Sequence, residues 1–197
     1  MEEQQYNFFG MLSRMKYINR WGLMRNTITE NIAEHSLDVA MIAHALAVIS
    51  NVYFKGSVDE EHVAMLAIYH DASEIITGDM PTPIKYYAPE IKHAYKDIEN
   101  IAVEQLLSEL PEEMKSHYEN IMHVGRNEEF EKKLVKAADK ISALVKCIEE
   151  EKMGNNDFSS AKVTLEEYLH NMNLKEVDFF MEKFLPAYSK TLDEQSN

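Results

Sequence analysis

A chain of 197 residues can bury a sizeable core without disulfide or metal staples, so a metal, where one binds, points to function rather than to folding. The formal charge of -14 and the pI near 5.0 work against binding nucleic-acid polymers or anionic membranes, which need clustered Lys and Arg. Cys147 is the only cysteine, which excludes a disulfide within the chain and suits a reducing compartment, and the acidic start MEEQQYNFFG lacks the pattern of a signal peptide. The expectation is a cytoplasmic protein with no membrane partner, since the longest apolar stretch, Val39 to Ile49, is broken by His44 and too short to cross a bilayer.

Taken in order, Phe8, Leu12, Met15 and Ile18 recur at steps of four and three and predict a first amphipathic helix ending near Arg20. Arg20-Trp21-Gly22 follows, with the only tryptophan of the chain beside a guanidinium. Trp21 reads equally as a cap on the core or, with Arg20, as a platform for a phosphate and a flat sugar or base face. Asn31 with Glu34 predicts a capping box opening a second helix. Along that helix His35, Val39, Ile42, Leu46 and Ile49 form one apolar stripe, which puts His35 in its buried first turn; His44 is off the stripe and is read as structural.

Ser57 or Asp59 caps a third helix, whose stripe of Val63, Leu66, Ala67 and His70 continues to Glu74 and stops at Gly78. Asp71 is rotated by about 100° from His70, near enough for both side chains to reach one ion beside the helix. His70 alone also reads as a hydrogen-bonded core histidine, but two helices that each bury a histidine weaken that reading for both. Asp79-Met80-Pro81-Thr82-Pro83-Ile84-Lys85 reads as a rigid non-helical loop, because two prolines disfavour helix, and it carries a carboxylate, a hydroxyl and an ammonium. Pro89 opens a fourth helix with the stripe Ile91, Tyr95, Ile98, Ala102 and Leu106, which Pro111 stops. A short helix is expected over Glu112 to His123 and a long one from Asn127 to Met153, with Asp139 beside Ala137 and Ala138. That aspartate is either solvated at the edge of its stripe or in need of a partner or a cation. Asp157 is expected to cap a helix containing Phe158, Ala161, Leu165 and Leu169, and Val177, Phe180, Met181 and Phe184 mark the last helix before Pro186. The pattern predicts an all-α chain, a single compact helical bundle over residues 1–197.

His35, His70, Asp71 and Asp139 thus come from three helices as two imidazoles and two carboxylates, a donor set suited to a divalent first-row metal. Calcium prefers an all-oxygen shell, which two histidines do not supply. Such an ion acidifies water, polarises a phosphoryl oxygen and supplies the positive charge that an acidic chain lacks.

His35, then His70-Asp71, then Asp139 is the H…HD…D pattern of the HD-domain metal-dependent phosphohydrolases. The strings INRWGLMRN (Ile18 to Asn26), AEHSLDVAMIAHAL (Ala33 to Leu46), YHDASEIITGDMPTPIKY (Tyr69 to Tyr86) and LVKAADKISALVKCIEE (Leu134 to Glu150) narrow this. The chain resembles the YfbR-like group of bacterial 5'-deoxynucleotidases from about Phe8 to Glu194, least between about Pro111 and Asn127. The resemblance implies a compact HD-domain bundle, a homodimer, that hydrolyses deoxyribonucleoside 5'-monophosphates to deoxynucleoside and phosphate with cobalt, manganese or a similar ion. It also implies roles: His35, His70, Asp71 and Asp139 as metal ligands and Glu74 as the catalytic carboxylate. Arg20 would orient the phosphate, Trp21 lie by the sugar, His35 also adjoin the substrate, and Asp79 take the 3'-hydroxyl. Thr82, Pro83, Ile84 and Lys85 would complete the nucleotide site. Two alternatives stay open: an HD phosphohydrolase for alarmones, cyclic dinucleotides or deoxynucleoside triphosphates, and a nucleotide-sensing HD module without turnover.

Overall fold

The computed structural model describes residues 5–85, 87–123 and 128–196, and among them the helices are α1 (Phe8–Leu12), α2 (Ile32–Phe54), α3 (Glu60–Tyr69), α4 (Glu74–Thr77), α5 (Thr82–Lys85), α6 (Pro89–Ser108), α7 (Glu112–Met122), α8 (Glu129–Lys152), α9 (Ser159–Asn171), α10 (Lys175–Lys183) and α11 (Leu192–Gln195). The described residues contain no strand, only an isolated antiparallel bridge between Asn19 and Asn31. The all-α expectation holds.

α2 is the spine, packed against α3, α8 and α10. Its stripe of Val39, Ile42, Leu46 and Ile49 is buried as the spacing predicts, against Val63 and Ala67 of α3 and Leu134, Ala137, Ala138, Ile141 and Leu144 of α8. Each fully buried Leu or Ile contributes about 1.5–3 kcal/mol, so this seam is the main source of stability. A second apolar cluster joins Phe8, Ala72, Leu106, Leu107 and Leu110, with Tyr118 edge-on to Phe8 at 4.8 Å. Ala67 belongs to the first cluster and Ala72 to the second, so the segment that carries His70 and Asp71 runs from one to the other.

The caps explain where α2 and α3 begin. Asn31 accepts from the backbone N–H groups of Ala33 and Glu34 while Glu34 accepts from that of Asn31, completing the predicted capping box; of the two candidates for α3, Asp59 is the cap. α2 has the length and composition to cross a bilayer, more than the Val39 to Ile49 stretch suggested. In this fold it is a core helix, and His44 is exposed on it.

Several elements differ from the sequence reading. The first helix ends early, tightening into a 3-10 turn over Ser13–Tyr17 before Ile18 turns extended. The Ile18 carbonyl accepts from Ile32 N–H at 3.0 Å, which draws the chain out of the helix and along the start of α2. The third helix is broken: after Tyr69 the bonds shorten to three-residue steps, Ala72 N–H to Tyr69 and Glu74 N–H to Asp71, before α4 resumes. The proline segment is not a plain loop, because Pro81 accepts from Ile84 and Lys85 N–H and starts the single turn of α5. Pro83 sits in its first turn, where a missing N–H costs nothing.

On α6 Tyr95, Ala102 and Leu106 are buried, but Ile98 is 49% exposed, so its stripe is narrower than predicted. Asp157 does not cap α9. Asn155 accepts from Asp157 N–H in a 3-10 turn over Asn156–Phe158, and the Asp157 carboxylate is taken by a two-point pair with Arg25 at 2.8 and 2.9 Å. The expected start of the long helix at Asn127 lies outside the described residues. The last predicted helix closes at Lys183, and Pro186 falls in a 3-10 turn over Leu185–Ser189.

Candidate active site

His35 enters the site from the first turn of α2, completely buried, where its Nδ1 lies 3.1 Å from the Ser142 hydroxyl of α8. His70 sits at the end of α3 and places Nδ1 2.7 Å from the Ala67 carbonyl. A carbonyl only accepts, so His70 carries a proton on Nδ1 and leaves Nε2 as the atom available to an ion; second-partner bonds of this kind orient metal-binding imidazoles.

The lone pairs converge. His35 Nε2 is 3.3 Å from Asp139 Oδ1 and 3.6 Å from Asp71 Oδ2, and His70 Nε2 is 3.1 Å from Asp71 Oδ2. His35, His70 and Asp71 offer ligand atoms all within 4.8 Å of one another, and Asp139 adjoins them through His35. Both Nε2 atoms are buried without a hydrogen-bond partner, as is one oxygen of Glu74. Orphaned buried acceptors are costly unless something else satisfies them, and a cation among two imidazoles and two carboxylates does. The residues present therefore fit a divalent metal.

The electrostatics are consistent with that. Burial pushes the His35 imidazole down to about 4; Asp139 opposes the shift, and Arg20 and His70 add to it. His35 is thus neutral and able to ligate at neutral pH. Burial works to raise Asp71, but the adjoining His70 imidazole holds its carboxyl below the usual range. Asp139 is held well below it too, against the effect of burial, chiefly by Lys136 at 2.8 Å, then by His35 and Lys140. Both carboxylates are charged donors.

Glu74, at the start of α4, is 6% exposed. Burial, then the charges of Asp71 and Asp79, push its carboxyl up to about 9, so without a cation it keeps its proton at neutral pH. Arg20 faces the same space: its charge acts on Glu74, Asp79 and His35, and its Nη1 is buried without a hydrogen bond. Trp21 has a left-handed backbone, φ 58°, and donates its indole N–H to Glu30 at 3.0 Å, while its backbone N–H acts to lower the Asp79 carboxyl that burial raises. Its ring rests on buried Phe158 at 5.2 Å, an aromatic neighbour that the sequence did not reveal. Lys85 is tied to Glu99 at 3.0 Å and lies over the Tyr95 ring, while its charge still reaches Glu74. Thr82, Pro83 and Ile84 are exposed on α5, next to Lys85 in the chain.

The sequence profile of the family described as 5'-deoxynucleotidase YfbR-like matches residues 7–188. The chain belongs to the YfbR-like 5'-deoxynucleotidase family. A 5'-deoxynucleotidase of Erwinia tasmaniensis is 52% identical over 190 residues, covering 96% of each chain, and one of Cronobacter sakazakii is 51% identical over 98% of this chain and 96% of its own. Among solved structures, an HD-domain phosphohydrolase of Listeria innocua superposes with a TM-score of 0.81 at 23% identity, over 97% of this chain and 92% of that one. The HD phosphohydrolase DatZ of cyanophage S-2L, bound to dA and one catalytic zinc ion, reaches 0.66 at 24% identity over 95% of this chain and all of its own. Those two likenesses establish the helical HD fold.

Beside the quartet, the structure gives work to residues that the sequence reading missed. Ser142 has a legible signal, lying three residues after Asp139 on one face of α8. Glu150 has none: its carboxylate accepts from Thr27 N–H at 2.9 Å, Ile28 N–H at 3.3 Å and Asn155 at 2.7 Å and pairs with Lys146, fastening the loop before α2 to α8. Glu30 is equally silent in sequence, a loop residue before a cap.

Proposed function

We infer that this protein is a phosphomonoesterase that hydrolyses deoxyribonucleoside 5'-monophosphates to deoxynucleoside and phosphate, with broad tolerance of the base. The observation that carries the reading is the convergence of His35, His70, Asp71 and Asp139, with two unpartnered imidazole nitrogens, beside a buried carboxylic acid and a buried guanidinium. Those four side chains would hold a divalent ion, cobalt or manganese in this reading. When bound, the ion supplies Lewis acidity toward a phosphoryl oxygen and lowers the pKa of water.

The chain's own residues do the rest. Glu74 holds and exchanges the proton of the attacking water, a role suited to a carboxyl whose pKa is high and sensitive to nearby charge. Arg20 presents its guanidinium, whose Nη1 makes no hydrogen bond, to the phosphate, where it pairs with two oxygens. Asp79 accepts the 3'-hydroxyl, Trp21 lies against the sugar, and Thr82, Pro83, Ile84 and Lys85 close the nucleotide site. Phosphomonoester hydrolysis is extremely slow without a catalyst, so charge neutralisation and a positioned nucleophile account for most of what such a site must provide. The test is phosphate release from matched deoxy- and ribonucleoside 5'-monophosphates, beside triphosphates and alarmones, across several divalent ions. Hydrolysis of deoxy monophosphates that a chelator abolishes and added metal restores supports the assignment; activity confined to polyphosphates refutes it.

The same reading makes the enzyme a cytoplasmic homodimer. Leu37, Met41 and Val52 expose 59%, 57% and 65% of their surface and fall within about 60° of one another around α2. A strip of this kind suits coverage by a second copy. Sedimentation should give twice the chain mass, and a monomer at micromolar concentration would refute the dimer.

A further inference from the structure

Glu30 belongs to no part of the donor quartet, yet one carboxylate touches three members of the site. One oxygen accepts the Trp21 indole N–H at 3.0 Å and lies 3.7 Å from Arg20 Nη1; the other lies 3.8 Å from His35 Nδ1. The Glu30 carbonyl accepts from Arg20 N–H at 2.9 Å, beside the bridge of Asn19 to Asn31, so Arg20 is held by both the side chain and the backbone of Glu30. The carboxylate is 12% exposed, which strengthens each contact relative to the same contact in water. Trp21 needs such a clasp: a tryptophan takes a left-handed backbone only where its surroundings hold it there. His35 does not, because Ser142 already engages its Nδ1.

We propose that Glu30 is a positioning residue, whose carboxylate holds Trp21 and Arg20 in the orientation in which they meet the sugar and phosphate of the nucleotide. This rests on the deoxynucleotidase reading above, and the roles of the two contacts differ. The indole contact needs only an acceptor, which a glutamine supplies. The guanidinium contact needs a negative charge, which a glutamine lacks.

The experiment compares wild type, Glu30→Ala and Glu30→Gln, with circular dichroism to verify folding, loaded with one divalent ion. Trp21 is the only tryptophan, so intrinsic fluorescence reads its environment directly and without substrate. Glu30→Ala should red-shift that emission, raise KM for a deoxynucleoside monophosphate and lower kcat/KM about 10- to 100-fold, the range for losing a hydrogen bond to a charged group, with metal content unchanged. Glu30→Gln should restore the emission and the KM while kcat stays low, a split that general loosening of the fold would not produce. Emission and kinetics unchanged in Glu30→Ala overturn the proposal. If that variant does not fold, Glu30→Gln decides, and a kcat equal to wild type in it overturns the claim on Arg20. A wild type inactive on every deoxynucleoside monophosphate removes the substrate assignment, and the fluorescence comparison still decides whether Glu30 holds Trp21.

Discussion

Two carboxylates of the same site sit in opposite protonation states for reasons visible in their neighbours. Asp139 has Lys136 at 2.8 Å and Lys140 at 3.4 Å and stays ionised, whereas Glu74 is driven toward its acid form by burial and then by the charges of Asp71 and Asp79. Division of labour follows. Replacing Asp139 with alanine should strip the metal, which elemental analysis measures. Glu74→Ala should keep metal and nucleotide binding while turnover falls about 10²- to 10⁴-fold, the span of a lost acid–base group; undiminished turnover would remove Glu74 from the chemistry. The quartet was legible in part because His35 and His70 betray themselves by occupying apolar helix positions. Glu30 and Glu150 were not, because their work is to hold loops, and a loop carries no period from which a partner is read.

Helices followed the sequence where their contacts are local and departed from it where the contacts are distant. The α2 stripe and the Asn31 box depend on contacts within a few residues, which local spacing encodes. The early end of α1, the break after Tyr69 and the lost Asp157 cap depend on Ile32, on three-residue bonds and on Arg25, which local spacing does not encode. The end of α8 is a case where both agree. Gly154 has φ 82°, its N–H reaches the Glu151 carbonyl and Asn155 N–H reaches that of Glu150, the paired closure of a Schellman motif. A Cβ at Gly154 would meet nothing within 4 Å, so the cost of Gly154→Ala is conformational. It should be about 1 kcal/mol by chemical denaturation. No loss would mean that Ala adopts another ending.

Across the molecule the loop that presents Arg20 and Trp21 is anchored by a buried ion pair. Burial works to raise the Glu150 carboxyl, but Lys146, Asn155 and Thr27 hold it well below its ordinary range. A pKa depressed by folding contributes stability that is present above the unfolded value of about 4.3 and is lost as pH falls below it. Glu150→Gln, which leaves the buried Lys146 charge with the Ile28 carbonyl but no carboxylate, should therefore cost about 3 kcal/mol at pH 7, and its gap in Tm from wild type should narrow between pH 5 and pH 3; a constant gap would argue against the linkage. The separation of the quartet along the chain bears on the order of events during biogenesis. A ribosome has released His35, His70 and Asp71 long before Asp139, and until α8 docks the donor set lacks its second carboxylate. Metallation should therefore be a late event, with refolding rates indifferent to dissolved cobalt or manganese and only the unfolding rate slowed, a contrast that stopped-flow mixing at several ion concentrations would reveal.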